Sequence, residues 1–221
     1  MIDFDYLQKI TTDALYISSR AAFALMHPTD RLILHHIAKN LPNNATVVEV
    51  GGFCGGSAAI MSNACPTAKI YSLDIFDNTV KVSATGKARD DIFASALGEN
   101  VPWTVDAVQA SMIDYPNVKF FKGCSPYDFQ DWDIELDLYH EDGNHTLPAV
   151  LDNMKFWGNK VKPGGLILCH DYRPFLPMGS PLKCPDVEFT VDQLVNSGRV
   201  KFIMRAGQFA VLEKLEGELV W

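Results

Sequence analysis

A chain of 221 residues, 48% of them hydrophobic, is long enough for one sizeable core and too apolar for disorder. No apolar run approaches the roughly 18 residues of a membrane span, and a net charge of −8 argues against broad binding to nucleic acid or anionic membrane. The periodicity of Leu7, Ile10, Ala14, Ile17, Ala21 and Leu25 predicts a helix over about residues 5–26. A second helix starts at Pro28-Thr29-Asp30 and stops before Leu41-Pro42-Asn43-Asn44. Strand one is Thr46–Val50, followed by a glycine-rich turn and a helix of small residues, Ser57 to Ser62. Strand two is Lys69–Leu73, ending on Asp74. Residues 76–115 are irregular apart from a helix at Val105–Met112. Strand three is Val118–Phe121 and strand four Leu136–Glu141, with a helix over Pro148–Trp157 behind it. The turn Lys162-Pro163-Gly164-Gly165 feeds strand five, Leu166–Cys169. A Pro-rich loop over 172–186, a short helix Phe189–Val195 and a hairpin of Val200–Arg205 with Phe209–Leu212 complete the chain.

Strands alternating with helices imply an α/β protein, a mostly parallel sheet covered on both faces, with the terminal hairpin antiparallel at one edge. The expected division is one domain, with residues 1–44 as an N-terminal helical cap and 45–221 as a Rossmann-like core. The opening Met1-Ile2-Asp3-Phe4-Asp5 lacks the basic stretch of a signal peptide. Five scattered cysteines without a C-x-x-C pair read as free thiols of a reducing, cytoplasmic compartment.

The most informative stretch is Val47-Val48-Glu49-Val50-Gly51-Gly52-Phe53-Cys54-Gly55-Gly56-Ser57. A backbone stripped of side chains at the mouth of a strand admits a nucleotide-like ligand. A dinucleotide would want G-x-G-x-x-G. The spacing here is Glu49-x-Gly51-x-x-x-Gly55-x-Ser57, and an acid ending strand one suits a cationic ligand better than a pyrophosphate. This E-x-G-x-x-x-G-x-S pattern resembles the first motif of class I S-adenosylmethionine-dependent methyltransferases. The resemblance implies a seven-stranded Rossmann-like sheet and S-adenosylmethionine held by Glu49, Gly51, Gly52, Gly55 and Ser57. It also implies ribose hydroxyls on Asp74, whose two acceptor oxygens match a vicinal diol, and adenine near Gly123, Cys124 and Ser125. The family often has Gly-Asp-Ser there, so Cys124 is a departure.

Two further segments carry chemistry: Tyr139-His140-Glu141-Asp142-Gly143-Asn144-His145-Thr146 closes strand four, and Leu168-Cys169-His170-Asp171-Tyr172 closes strand five. Ligands of open parallel sheets bind beyond the carboxyl ends of the strands. Asp142, His170 and Asp171 are candidate ligands of one divalent metal, carboxylates favouring Mg2+ and the imidazole widening the choice to Mn2+ or another transition metal. His145 is the candidate base, and His140 reads as structural. With Lys162-Pro163-Gly164-Gly165, these segments resemble the small metal-dependent O-methyltransferases that include macrolide-sugar and aminocoumarin-sugar enzymes, and the cephalosporin-hydroxylase-like proteins. The resemblance spans about residues 45–175. In that group the aspartate matched by Asp142 and the acidic pair matched by His170-Asp171 bind the metal. Some members have an aspartate base where this chain has Asn144, and two carboxylates in place of His170-Asp171.

The activity implied is O-methylation of a vicinal diol on a sugar or catechol-like ring. The alternatives are a non-methylating metal enzyme on the same scaffold and a module that binds S-adenosylmethionine without turnover. The expected lids are residues 76–115 and Arg173–Asp186, with Phe76, Trp103, Tyr172, Arg173 and Phe175 facing substrate. A small molecule is the expected partner, and the N-terminal helices suit a homo-oligomer contact.

Overall fold

A computed structural model describes residues 26–77, 104–173, 184–219 and 221. The helix expected over 5–26, and Trp103 and Phe175, lie outside the described residues apart from Met26. The elements run α1 (Pro28–Lys39), β1 (Thr46–Val50), α2 (Gly56–Ala64), β2 (Lys69–Asp74), α3 (Val105–Ser111), β3 (Val118–Lys122), a 3-10 turn (Tyr127–Phe129), β4 (Leu136–Glu141), α4 (Leu147–Asn153), β5 (Val161–Cys169), α5 (Pro185–Asn196), β6 (Val200–Ala206) and β7 (Phe209–Lys214).

The strands form one seven-stranded sheet in the order β3-β2-β1-β4-β5-β7-β6. β1 to β5 pair in parallel, and β7 pairs antiparallel with both β5 and β6. Alternation along each strand sends side chains to opposite faces. Val47, Ile70, Leu138 and Leu168 pack with Leu34 and Ala38 of α1, Ile60 and Met61 of α2 and Val108 of α3. Val48, Leu73, Tyr139 and Ile167 pack on the other face with Val150, Met154, Trp157, Val187, Val191 and Leu194. Helices thus cover both faces, which a parallel sheet buried in the middle of a domain requires.

Three elements differ from the sequence expectation. β5 begins at Val161, so Lys162-Pro163-Gly164-Gly165 lies within the strand. Its register against β4 jumps from Leu136↔Val161 to Leu138↔Leu166, so the extra residues form a bulge. Gly164 takes φ 83° there, a conformation that favours glycine. α4 runs on into a single π turn, Met154–Gly158. α5 starts at Pro185, inside the segment read as a loop, because proline at the first helical position needs no amide partner.

Candidate active site

The carboxyl ends of β1, β2, β4 and β5 open on one side of the sheet. β1 runs out at Val50, and Gly51 turns the chain at φ 95°. A Cβ on Gly51 would lie 2.0 Å from the Asp142 carbonyl oxygen. Glycine is therefore required here for the approach of the loop after β4, in addition to any ligand. Gly55, also left-handed at φ 81°, is the N-cap of α2.

Beside this turn lies a cavity of about 330 Å³, within the range that suits a small-molecule ligand. Its lining includes Gly51, Asp74, Ile75, Gly123, Cys124, Ser125, Tyr127, Gly143, Asn144, His145, Thr146 and Asn153. The acid closing β2 and the turns after β1, β3 and β4 therefore line one cavity. Asp74 accepts amides from Phe53 and Phe76, each at 3.0 Å, and so pins the loops after β1 and β2. Ser125 donates to Asn153 (2.8 Å) and accepts from the Trp157 indole (2.8 Å).

Glu49 departs from the sequence reading. Its side chain is wholly buried and is not part of the cavity lining. It accepts a hydrogen bond from Ser72 at 2.6 Å and lies 3.1 Å from His140 Nδ1, both fully buried. The physical cause is the strand order: β1 lies between β2 and β4, so Ser72 and His140 are its direct lateral partners. Gly52 and Ser57 are likewise absent from the lining, and a Cβ on Gly52 would meet Ser72 Oγ at 2.1 Å. His140 has the structural part expected of it.

At the cavity's edge the residues after β4 and β5 converge. His170 Nδ1 lies 3.1 Å from Asp142 Oδ1 and 3.7 Å from Asp171 Oδ1. His145 Nε2 lies 3.4 Å from Asp171 Oδ2 and 3.9 Å from Asp142 Oδ1. Asp171 takes φ 59°, a left-handed conformation uncommon for a residue other than glycine. Donor atoms of Asp142, His170 and Asp171 all fall within 4.8 Å of one another. Adjacent donors on a six-coordinate divalent ion with bonds near 2.1 Å sit about 3 Å apart; His170 and Asp142, at 3.1 Å, have that spacing, and Asp171, at 3.7 Å from His170, stands somewhat wider. His145, Asp171 and Cys184 form a second group of donors within the same limit. Two carboxylates and an imidazole form a hard-to-intermediate ligand set. Cys184 Sγ lies 3.5 Å from His145 Nδ1; read from sequence only as a free thiol, it sits against the candidate base.

The electrostatics are those of charge held out of water. Burial acts to raise Asp142, but the His170 charge and hydrogen bonds from His145 and His170 outweigh it and hold Asp142 below the usual carboxylate range. Burial acts to lower the histidines. The hydrogen bond to Asp142 leads the opposing effects at His145, which reaches about 11, and the Asp142 charge leads them at His170, which reaches about 10. Burial raises Asp171, with the Asp142 charge adding to it. Behind them Glu141, fully buried, accepts from Tyr139 Oη and from the Gly143 amide at 3.1 Å. Burial raises it to about 7.

The sequence reading missed Asp30. It sits in the first turn of α1, 1% exposed, with Oδ2 3.5 Å from His170 Nε2. Its position was read only as a helix start, and no local pattern reports a contact made across the whole fold.

The strand order, the glycine turn after β1 and the acid closing β2 define a Rossmann-like, class I methyltransferase architecture. The Methyltransferase domain family matches residues 48–172, and the chain belongs to that family as an S-adenosylmethionine-dependent methyltransferase. In fold it is similar to the SAH-bound Podospora anserina methyltransferase PaMTH1, at 14% identity over 94% of this chain and 88% of that one, with a TM-score of 0.62. It is also similar to the O-methyltransferase NovP, at 16% identity over 96% and 98% of the two chains and a TM-score of 0.60. A third similar structure is the MycE methyltransferase from the mycinamycin biosynthetic pathway in complex with Mg and SAH, at 19% identity over 95% of this chain and 57% of that one, with a TM-score of 0.57. Among the described residues, no helix is long and apolar enough to cross a membrane.

Proposed function

We propose that the chain is a divalent-metal-dependent O-methyltransferase acting on one hydroxyl of a vicinal diol in a small molecule, a sugar or a catechol-like ring. The observation that carries this reading is the meeting of Asp142, His170 and Asp171 donors beside His145 at the edge of the cavity. The binding of Mg by the structurally similar MycE supports it.

S-adenosylmethionine supplies the methyl group, and a divalent ion chelated by a diol supplies a fixed position and a lowered hydroxyl pKa. The remaining work falls to the chain. Asp74 at the end of β2 would accept from the ribose hydroxyls, and the backbones of Gly51 and Gly123, which line the cavity, would face the rest of the donor. Ser125, fixed by Asn153 and Trp157, would face the adenine. Asp142, His170 and Asp171 would hold the ion, Mg2+ first and Mn2+ next. His145 would take the hydroxyl proton at Nε2, which faces Asp171 at 3.4 Å, once the charge of a bound ion lowers the histidine from about 11. Asp171 and Asp142 beside that nitrogen would stabilise the imidazolium formed. Alignment of hydroxyl and methyl, rather than strong bond polarisation, is what an in-line displacement needs from the remaining walls.

The test is methyl transfer from labelled S-adenosylmethionine to a panel of sugars and catechols, with and without chelator. Label in a diol product that disappears with chelator and returns with Mg2+ or Mn2+ is the expected result. Label transfer indifferent to chelator would remove the metal, and turnover without label in product would remove O-methylation.

A further inference from the structure

We propose that Asp30 is a positioning residue for the ion site, fixing the His170 ring so that Nδ1 is the atom offered beside Asp142 and Asp171. The inference rests on the metal-dependent reading above. His170 is 3% exposed, and its Nε2 makes no standard hydrogen bond. What that nitrogen faces is Asp30 Oδ2, 3.5 Å away. An ionised carboxylate only accepts, so the pairing requires the hydrogen on Nε2. Without an ion the ring is protonated and Nδ1 donates to Asp142 Oδ1 at 3.1 Å, with Asp171 Oδ1 3.7 Å away. An ion that replaces the Nδ1 proton would meet the Nδ1 lone pair and both carboxylates, while Nε2 keeps its hydrogen toward Asp30. A carboxylate behind the far nitrogen of a ligating histidine is the arrangement that sets the ring's tautomer and orientation at metal centres.

Asp30 is itself built in. Its Oδ1 accepts the Gln208 amide at 3.0 Å, and its Oδ2 accepts Gln208 Nε2 at 2.8 Å. A Cβ on Gly207 would lie 2.0 Å from Oδ1, so the tip of the β6–β7 hairpin closes directly over the carboxylate. The His170 ring packs against Phe209 with centroids 4.9 Å apart, which fixes it from the side. Helix α1 and the last hairpin thus hold one imidazole by its rear nitrogen.

The experiment is Mn2+ titration calorimetry on S-adenosylhomocysteine-saturated protein, with pulsed EPR of bound Mn2+ to read directly coordinated nitrogen. Asp30→Asn keeps size but loses the ability to accept from both Gln208 and His170. It is expected to weaken Mn2+ binding by about 10–100-fold, to reduce the nitrogen coupling, and to leave S-adenosylhomocysteine affinity within about twofold. Gln208→Met removes the side-chain donor to Asp30 without touching His170, and should keep both Mn2+ affinity and coupling. Equal Mn2+ affinity in Asp30→Asn and the wild type, or the same loss in Gln208→Met, overturns the inference while leaving the metal reading standing. A wild type that binds no Mn2+ overturns both. Should Asp30→Asn fail to fold, the coupling in His145→Gln decides: its persistence assigns the nitrogen to His170, and its absence overturns the inference.

Discussion

Asp74 carries two burdens that a single substitution separates. Its carboxylate pins the amides of Phe53 and Phe76, and in the proposed site it also receives a ribose diol. Asp74→Ala is expected to weaken S-adenosylhomocysteine binding by more than tenfold, since charge-assisted hydrogen bonds contribute about 1.5–3 kcal/mol each. Unchanged affinity by calorimetry would take the ribose away from Asp74. Glu141 makes a prediction about pH. Burial raises its carboxyl from 4.5 to about 7, against opposing hydrogen bonds from Tyr139 and Gly143. Between these values the folded protein keeps a proton that the unfolded chain releases, so this group's stabilisation is full below 4.5 and is lost as pH rises to about 7. The difference is worth about 3 kcal/mol. Glu141→Gln, denatured in urea with chelator present, should show a flatter stability profile than the wild type from pH 4.5 to 7. Parallel profiles would mean that Glu141 titrates normally. His145 gives a third expectation. Held at about 11 by Asp142, Cys184 and Asp171 against its burial, it stays protonated at neutral pH without an ion. Saturating Mg2+ should move its NMR titration to lower pH, because added positive charge disfavours imidazolium. A midpoint indifferent to Mg2+ would place the ion elsewhere.

Between elements, the decisive contact is the one where the turn after β1 touches the turn after β4. A side chain at Gly51 would strike the Asp142 carbonyl, a backbone atom that no rotamer change can clear, and its φ of 95° resists any other residue. Gly51→Ala should therefore reduce cofactor binding and metal binding together, by at least about tenfold each, and cost about 2 kcal/mol or more of stability. Loss of one ligand's affinity with the other intact, by calorimetry, would show that the two turns move independently. This scale also shows what sequence can tell. β1 and β4 have the boundaries their apolar patterns predict, because a short run closed by glycine or an acid is unambiguous. The bulge in β5 was invisible, since Lys-Pro-Gly-Gly has the chemistry of a turn and only pairing with β4 makes it strand. Asp142, His145, His170 and Asp171 could be picked as candidates because strand ends are where a parallel sheet gathers ligands, and the structure brings these four side chains together. Glu49 read as a ligand contact because its neighbours across the sheet, Ser72 and His140, become known only with the strand order.

Across the molecule, Trp157, the largest fully buried side chain among the described residues, joins one helical layer to the cavity wall. It is fully buried against Phe129, Trp132 and Phe156, and its indole donates to Ser125 on the cavity wall. Trp157→Ala is expected to cost about 3–5 kcal/mol in global stability. Trp157→Phe should keep most of that packing and lose mainly the hold on Ser125, seen as weaker S-adenosylhomocysteine binding with a smaller fall in Tm. Equal Tm losses in the two variants would make the hydrogen bond, rather than volume, the dominant contribution.

The tie between Asp30 and Gln208 spans 178 residues, and that span has a consequence for the order of assembly. Synthesis delivers α1 well before the β6–β7 turn. A growing chain that has already laid down β1, α2 and β2 carries the Gly51 turn and the Asp74 strand end that line the cavity, while the Asp30 carboxylate still lacks the amides that seat it and His170 still lacks Phe209 beside it. The corner around Asp30 and His170 is therefore finished by the β6–β7 hairpin, after the part of the cavity lining that β1 and β2 supply has already been made.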